Sequence, residues 1–385
     1  MSVDTLPPEL EELRQRLRAF LNDELLPAER EHGIVEEADA TPDLRRWART
    51  RSSELGFFRL TQPADIGGAG LGPLGQTALR EEIAASGSVL GRFVLGGGGG
   101  MLRQGTPDQK ERFLLPVLRG ELVAAFAFTD AREGPRTTAV RRGDTFHLAG
   151  VKSFVTGGPH ADLLLTVANV TENEGGPTGA AVFIVRRTAA GVSLRRELRT
   201  LDGGLHGEFE FRDVAVSPAD VLGEIGKGLP RALENITTMR LGVAAGACGA
   251  ARWTLDYTLS QVDQPHRTGT PLADREQVQA MIAESATDLF AARAALYAAA
   301  RTAEAGEDVE VEAAMAKSLA TEAVTRIVDR AIQLTGGAAV VEGHPLARMY
   351  RQIRAWRIAE GTTEILRLTI ARGLLARRRA SAAKT

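Results

Sequence analysis

The chain has 385 residues, 44% of them hydrophobic, and a formal net charge of −2. That length supports two or three domains, or one elaborate unit with ample core, and the near-neutral balance argues against a polyanion-binding surface. A single cysteine, Cys248, excludes an intrachain disulfide and a cysteine-based metal cluster.

Cys248 lies in the small-residue run Val243 to Ala251, so it reads as a buried residue and not as a nucleophile. The N-terminus is acidic and amphipathic, without the basic–apolar–small pattern of a signal peptide. No apolar run approaches the roughly 18 residues of a membrane span. The expectation is a cytoplasmic protein with no membrane and no nucleic-acid role. The tail Arg377-Arg378-Arg379 to Thr385 reads as a frayed, solvated end.

Taken in order, Leu10, Leu13, Leu17, Phe20, Leu21 and Leu25 fall at helical spacing and predict a helix over 9–26, stopped by Pro27. A second helix is expected over 42–55. Gly70, Gly72 and Gly75 spell G-x-G-x-x-G, but no strand feeds them and a helix (Gln76 to Ala85) follows, so they are no nucleotide fingerprint. The run Gly96 to Gly100 suits a flexible link or close passage past other backbone. Gly105-Thr-Pro-Asp-Gln-Lys starts a short helix that ends near Gly120.

From about residue 122 the texture changes to short Val-, Phe- and Thr-rich segments: Leu122–Phe128, Thr145–Thr156, Asp162–Val170, Gly179–Val185, Val192–Leu198 and Glu208–Val216. Turn residues separate them, Arg142-Gly143-Asp144 reading as a hairpin turn. They predict an antiparallel sheet or barrel of about a hundred residues. After Gly228 helical spacing returns. Val278, Ile282, Leu289 and Leu296 mark one long helix; Met315, Leu319, Ile327, Ala331 and Leu334 mark another, ended by Gly336-Gly337. Long alanine-rich helices with short links read as an antiparallel bundle. The fold class is therefore α+β, mostly α: an N-terminal helical domain (1–121), a middle β domain (122–228) and a C-terminal four-helix-bundle domain (229–385).

Near the end stands Tyr350-Arg-Gln-Ile-Arg-Ala-Trp-Arg-Ile-Ala-Glu360-Gly361-Thr362-Thr363-Glu364. Glu360 sits between an apolar run and a Gly-Thr-Thr break, where Thr362 or Thr363 can cap the next helix. A lone glutamate at such a junction ordinarily serves helix-end electrostatics.

The surrounding motifs carry more. Pro63…Gly67-Gly68-x-Gly70 with Glu81-Glu82 is followed by Gly105-Thr106-x-x-Gln109-Lys110…Phe126-x-Phe128-Thr129. Next come Leu148-x-Gly150-x-Lys152-x-Phe154-x-Thr156 and Gly226-Lys227-Gly228-Leu229. Gln333-x-x-Gly336-Gly337, Tyr350-Arg351 and Glu360-Gly361-Thr362-x-Glu364 close the series. In this order, over nearly the whole chain, the pattern resembles the acyl-CoA dehydrogenase family.

The resemblance implies FAD, an acyl-CoA or other acyl thioester as substrate, and α,β-dehydrogenation to a trans-2-enoyl thioester. It implies Glu360 as the base that removes the α-proton, with its backbone N–H meeting the developing carbonyl charge. Other members place the base just before an arginine on the first long C-terminal helix; here that pair is Met239-Arg240, and methionine takes no proton. Arg240 and Gly361 would lie on the substrate side, although a helix-surface salt bridge also accounts for Arg240. By the same carry-over Phe126, Phe128 and Thr129 line the flavin's pyrimidine side, and Phe154 and Thr156 its ring edge. Thr362 and Glu364 face the diphosphate–ribose part, and Gln333 and Gly337 serve a flavin shared with a neighbouring subunit. Implied partners are an electron-transfer flavoprotein as acceptor and further copies of the chain, as homodimer or homotetramer.

Departures stand beside the matches. The family's cofactor-touching Ser is Pro135 here, and the Arg and Phe that grip a neighbour's FAD are Pro265 and Thr268. The first account of these departures is a working dehydrogenase with a modified cofactor grip, or an acyl group carried on something other than plain CoA. The alternatives are a heteromeric enzyme whose partner supplies the FAD contacts, a flavin-free scaffold on the same fold, and a flavin oxygenase or nitroalkane oxidase. The Glu360-Gly361-Thr362 signature speaks against the last two.

Overall fold

The structure, a computed structural model, describes residues 5–62, 64–97, 99–172, 175–267 and 269–382, without the side chains of 66 and 230–235. Pro63, Gly98 of the glycine run, residues 173–174, Thr268 and the last three residues of the tail lie outside the described residues. The chain forms two compact units. One comprises Met1–Thr61, Gly68–Gly96 and Ile236–Thr385; the other comprises Gln62–Gly67 and Gly97–Asn235.

The first unit is helical. α1 (Pro8–Phe20) runs through a π-helical turn, Leu21–Leu25, into α2 (Leu26–Glu31). Pro27 was expected to stop this helix and does not. Its missing N–H and bulky ring are tolerated because the wider π turn just before it relieves the hydrogen-bonding register. Leu17, Phe20, Leu21 and Leu25 pack with Leu44 and Ala48 of α3 (Pro42–Glu54) and Leu79 of α4 (Pro73–Ala85). Gly72, from the discounted glycine pattern, is the N-cap residue of α4.

Farther along the same unit are α8 (Glu276–Glu304), α9 (Glu310–Thr335), α10 (Pro345–Trp356) and α11 (Thr363–Ala382), with most of α7 (Gly228–Val262). α7 to α10 share one core built largely of alanine: Ala244, Ala245, Ala251, Ala292, Ala299, Ala313, Ala316 and Ala320 pack with Leu296, Ile327 and Ile353. Small side chains let these helices approach closely and interdigitate. Met315 and Leu319, read from spacing as core markers, are instead exposed at 38% and 37%. On α9 the core face carries Ala313, Ala316 and Ala320 with Val324 and Ile327, and Met315 and Leu319 point away from it. The basic tail is helical as far as Ala382, with Arg377 paired to Glu312, so the expected fraying does not begin at Arg377.

Glu81 of α4 has no exposure and accepts from Arg293 Nε (2.6 Å) and Tyr297 Oη (2.5 Å) of α8. Glu82 accepts from Arg18 of α1 and Arg252 of α7. This pair joins four helices.

The second unit holds a seven-stranded sheet: β1 (Ala124–Ala127), β2 (Thr138–Arg142), β3 (Thr145–Thr156), β4 (Leu163–Glu172), β5 (Gly179–Arg186), β6 (Val192–Arg199) and β7 (Leu205–Val216). β2 was not foreseen, and the sheet is mixed where an antiparallel one was expected. β5 lies antiparallel along one edge of β4; β1 and β2 lie parallel, end to end, along the other, pairing at 163–166 and 169–172. β1 and β2 thus form one line broken by the excursion 128–137. The remaining pairs, β2–β3, β3–β7 and β7–β6, are antiparallel. The 142–144 segment makes the β2–β3 hairpin turn as read.

Met101, Leu102, Phe113, Leu114 and Leu118 pack on one face of this sheet against Leu163, Leu165, Val182 and Ile184. The stretch 97–119 therefore belongs to the β unit and not to the helices before it. It includes α5 (Pro107–Gln109), a second π turn (Lys110–Leu114) and α6 (Leu115–Arg119), again with a proline, Pro116, just after the π turn. Of the glycine run, Gly96 passes so close to Phe58 that a Cβ there would lie 2.6 Å from its carbonyl oxygen. Close passage holds at Gly96, whereas Gly97 has open space around it.

Candidate active site

In the helical unit Glu360 ends the turn after α10, with φ of 55°, a left-handed conformation rare for a side chain of its kind. Gly361 follows at φ of 101°, a region open to glycine. Arg240 of α7, 5% exposed, donates from Nε to the Glu360 carbonyl at 3.2 Å. The surface salt-bridge reading of Arg240 therefore fails, because the residue is interior and serves the loop. Lys317 of α9 has no exposure and donates from Nζ to the Gly361 carbonyl at 2.7 Å. Glu322, one turn farther on, accepts from Arg357 before the loop and from Thr363 Oγ1 after it.

Six residues of loop are thus tied at both ends and at two successive carbonyls. Such over-determination is what holds about 1–3 kcal/mol of backbone strain in place. Among the described residues no acceptor lies on the Glu360 N–H.

Burial lifts the Glu360 carboxyl above the usual range, against the opposing charges of Lys317 and Arg240. Burial lowers Lys317 to about 8, helped by Arg240 and opposed by Glu360 and Glu322. The result is a carboxylate more basic than one in water, beside cations that keep it from becoming a permanent acid. Thr362 caps α11, its Oγ1 accepting from Ile365 N at 3.4 Å, and Glu364 is exposed in the first turn. Gln333 and Gly337 are exposed at the end of α9, apart from these contacts. Met239 is 38% exposed and bears no proton acceptor. Burial raises the Cys248 thiol far above its ordinary value, so it is inert as read.

In the sheet unit the other expected residues meet at one end of β1 and β3. The Phe126 and Phe128 rings stack with centroids 5.5 Å apart. Ser153 N donates to the Thr129 carbonyl at 2.9 Å. The β3–β7 register shifts between Lys152 and Val155, and on this bulge Phe154 takes φ of 55° and is 63% exposed. A strained, exposed aromatic ring is costly unless something covers it. Thr156 Oγ1 lies 3.2 Å from His206 Nδ1, and that ring meets Phe154 edge-on.

Lys152, 2% exposed, donates to the Phe128 carbonyl (2.8 Å) and to Asp130 (2.7 Å), fixing the start of the 128–137 excursion. Burial alone would raise Asp130, but Lys152 and Thr137 bring it below its ordinary value. Pro135 is exposed; its carbonyl accepts from Val151 N at 3.4 Å and its ring offers no donor. Pro265 is exposed as well.

Sequence reading missed Lys317, Glu322 and His206. The helical register was the available signal for Lys317: it shares a face with Ala313, Ala320 and Val324, all buried. A recess with about 460 Å³ of empty space, part of it open to solvent, lies among Pro73, Thr77, Arg80, Thr237 and Leu241 and does not include Glu360.

Residues 7–121, 126–214 and 226–375 match the N-terminal, middle and C-terminal domains of acyl-CoA dehydrogenases. The chain belongs to the acyl-CoA dehydrogenase family. It is 32% identical over 374 residues to the 3-(aryl)acrylate reductase of Clostridium sporogenes, covering 94% of this chain and 97% of that one. It is 31% identical over 384 residues to the short-chain specific acyl-CoA dehydrogenase of Bos taurus mitochondria, covering 96% and 91%. The butyryl-CoA dehydrogenase of Megasphaera elsdenii superposes with a TM-score of 0.82 at 27% identity, over 96% of this chain and 99% of that one. As a member of this acyl-CoA dehydrogenase family the chain is an oxidoreductase of the CH–CH bond of acyl-CoA, and the family is typically FAD-dependent. No helix among the described residues is long and apolar enough to cross a membrane.

Proposed function

We propose that the chain is an FAD-dependent dehydrogenase that converts an acyl-CoA to its trans-2-enoyl-CoA, with Glu360 as the base for the α-proton. One observation carries this reading: a half-buried carboxyl with raised basicity, on a strained loop tied down by Arg240, Lys317 and Glu322. An α-proton beside a thioester is weakly acidic, so its base must be held in place and partly desolvated. Loss of that proton drives charge onto the thioester oxygen. The Glu360 N–H is the donor this chain offers it, and Arg240 and Gly361 shape that side of the loop.

The residues present fit a flavin ring. The stacked Phe126 and Phe128, the exposed Phe154, and the Thr129 and Thr156 hydroxyls offer flat apolar surface edged by polar groups. FAD, when bound, supplies the two-electron acceptor for the β-hydrogen. Thr362 and Glu364 at the start of α11 would face its diphosphate–ribose part. The exposed Gln333 and Gly337 would meet the flavin of a neighbouring copy in a homodimer or homotetramer. The electron acceptor is an electron-transfer flavoprotein; support comes from the CarC subunit of the caffeyl-CoA reductase–Etf complex of Acetobacterium woodii, 30% identical over 374 residues.

Pro135 and Pro265 support a second reading, in which this chain supplies Glu360 and a related partner chain supplies the missing grip on the ADP half. The visible spectrum of the purified chain separates the two. A flavin band that bleaches on anaerobic addition of one of a panel of acyl-CoAs supports the first. A colourless chain that takes up FAD only with a co-expressed relative refutes it and supports the second.

A further inference from the structure

We infer that Lys317 is a positioning residue of the active site: its ammonium holds the Gly361 carbonyl and so sets the direction of the Glu360 carboxylate and N–H. This rests on the reading of Glu360 as the base.

The geometry leaves the ammonium little other purpose. Lys317 lies on the alanine face of α9, a place where the bundle needs no charge. Burying a cation there is unfavourable unless a specific partner requires it. Its partner is not a carboxylate but the carbonyl of Gly361, at 2.7 Å. The preceding carbonyl, that of Glu360, is held by Arg240. Two cations from two helices therefore grip consecutive peptide groups at the only two-residue stretch of positive φ that contains a carboxylate among the described residues. Pinning these two carbonyls fixes the backbone dihedrals on the C-terminal side of Glu360, and so holds in place the Cα from which its carboxylate departs and the N–H beside it.

The charges around Lys317 complete the arrangement. Arg240 of α7 repels it; Glu360 of the loop and Glu322 of its own helix attract it. Glu322 is itself paired with Arg357, and Glu310 at the start of α9 acts on Arg240. Lys317 thus stabilises the ionised form of Glu360 as well as orienting it.

The test is the pH profile of kcat/KM, with kcat and KM separately, for wild type, Lys317→Met and Lys317→Arg, with Glu360→Gln in parallel. Lys317→Met is expected to lower kcat roughly ten- to hundredfold with KM little changed. Its acid limb should move to higher pH, because removing a neighbouring cation raises the Glu360 pKa further. Lys317→Arg keeps a charge at all accessible pH, so its acid limb should stay with wild type and its alkaline limb should move from near 8 to above about 10.

A Lys317→Met profile that superposes on wild type overturns the inference. Should that variant not fold, an unmoved alkaline limb in Lys317→Arg does the same. The parallel variant separates the two failures: if Glu360→Gln turns over normally, the base assignment is what falls.

Discussion

Replacing Lys317 by methionine is expected to leave the protein as stable as wild type or more so at pH 7, although it removes a hydrogen bond. Burial brings the lysine from 10.5 to about 8. At about 1.36 kcal/mol per pH unit, that fall corresponds to roughly 3 kcal/mol of destabilisation, fully present while the ammonium is charged in both states. Below pH 8 the folded state carries this cost. Between 8 and 10.5 the folded lysine is neutral while the unfolded one still binds a proton, so wild-type stability rises with pH across that window. Methionine fills a similar volume without charge, and leaves the Gly361 carbonyl unpaired at a cost of about 1–3 kcal/mol. The balance at pH 7 lies between zero and about 2 kcal/mol in favour of the variant. The pH dependence is the cleaner quantity: thermal midpoints of the two proteins, followed from pH 7 to 10.5, should converge or cross as wild type gains its roughly 3 kcal/mol. Parallel curves over that range would show that Lys317 titrates as an ordinary exposed lysine, and would refute the account of the loop.

Glu81→Gln removes the charge that Arg293 and Tyr297 share in a fully buried place, and is expected to cost about 3–5 kcal/mol. A lowered thermal midpoint with little change in activity per folded enzyme checks it. Phe154→Ala removes a 63% exposed ring on a strained bulge, so stability should hold or rise slightly. FAD affinity, measured by fluorescence titration of apoprotein, should weaken by up to about tenfold. Because burial raises the Glu360 carboxyl, the acid limb of wild-type kcat/KM should lie above the ordinary glutamate range. A limb at or below that range contradicts the burial.

Much of the architecture was legible because it rests on periodicity. β3 is legible at its bounds, Thr145–Thr156, from Val-, Phe- and Thr-rich composition between turn residues. β2 was missed because Thr138–Arg142 is short and ends in two arginines, with too few apolar residues to alternate. Its parallel pairing with β4 depends on a chain excursion that no local pattern encodes. Pro27 misled for a related reason: a π turn is a backbone device without a composition of its own.

At the site, the loop–helix junction around Glu360 was readable from Gly361 and Thr362, but the left-handed backbone of Glu360 was not. It is imposed by Arg240 and Lys317, which lie 120 and 43 positions away. Lys317 itself escaped because a lysine among alanines looks like a solvated face until the register of the whole helix is laid out.

The central claim is that Glu360 is the base. Wild type and Glu360→Gln, each loaded with FAD, should show the same flavin content and the same visible spectrum. On anaerobic addition of an acyl-CoA that bleaches wild type, the variant should bleach about 10²–10⁴-fold more slowly. Bleaching of Glu360→Gln at the wild-type rate would remove Glu360 from the reaction and contradict the account.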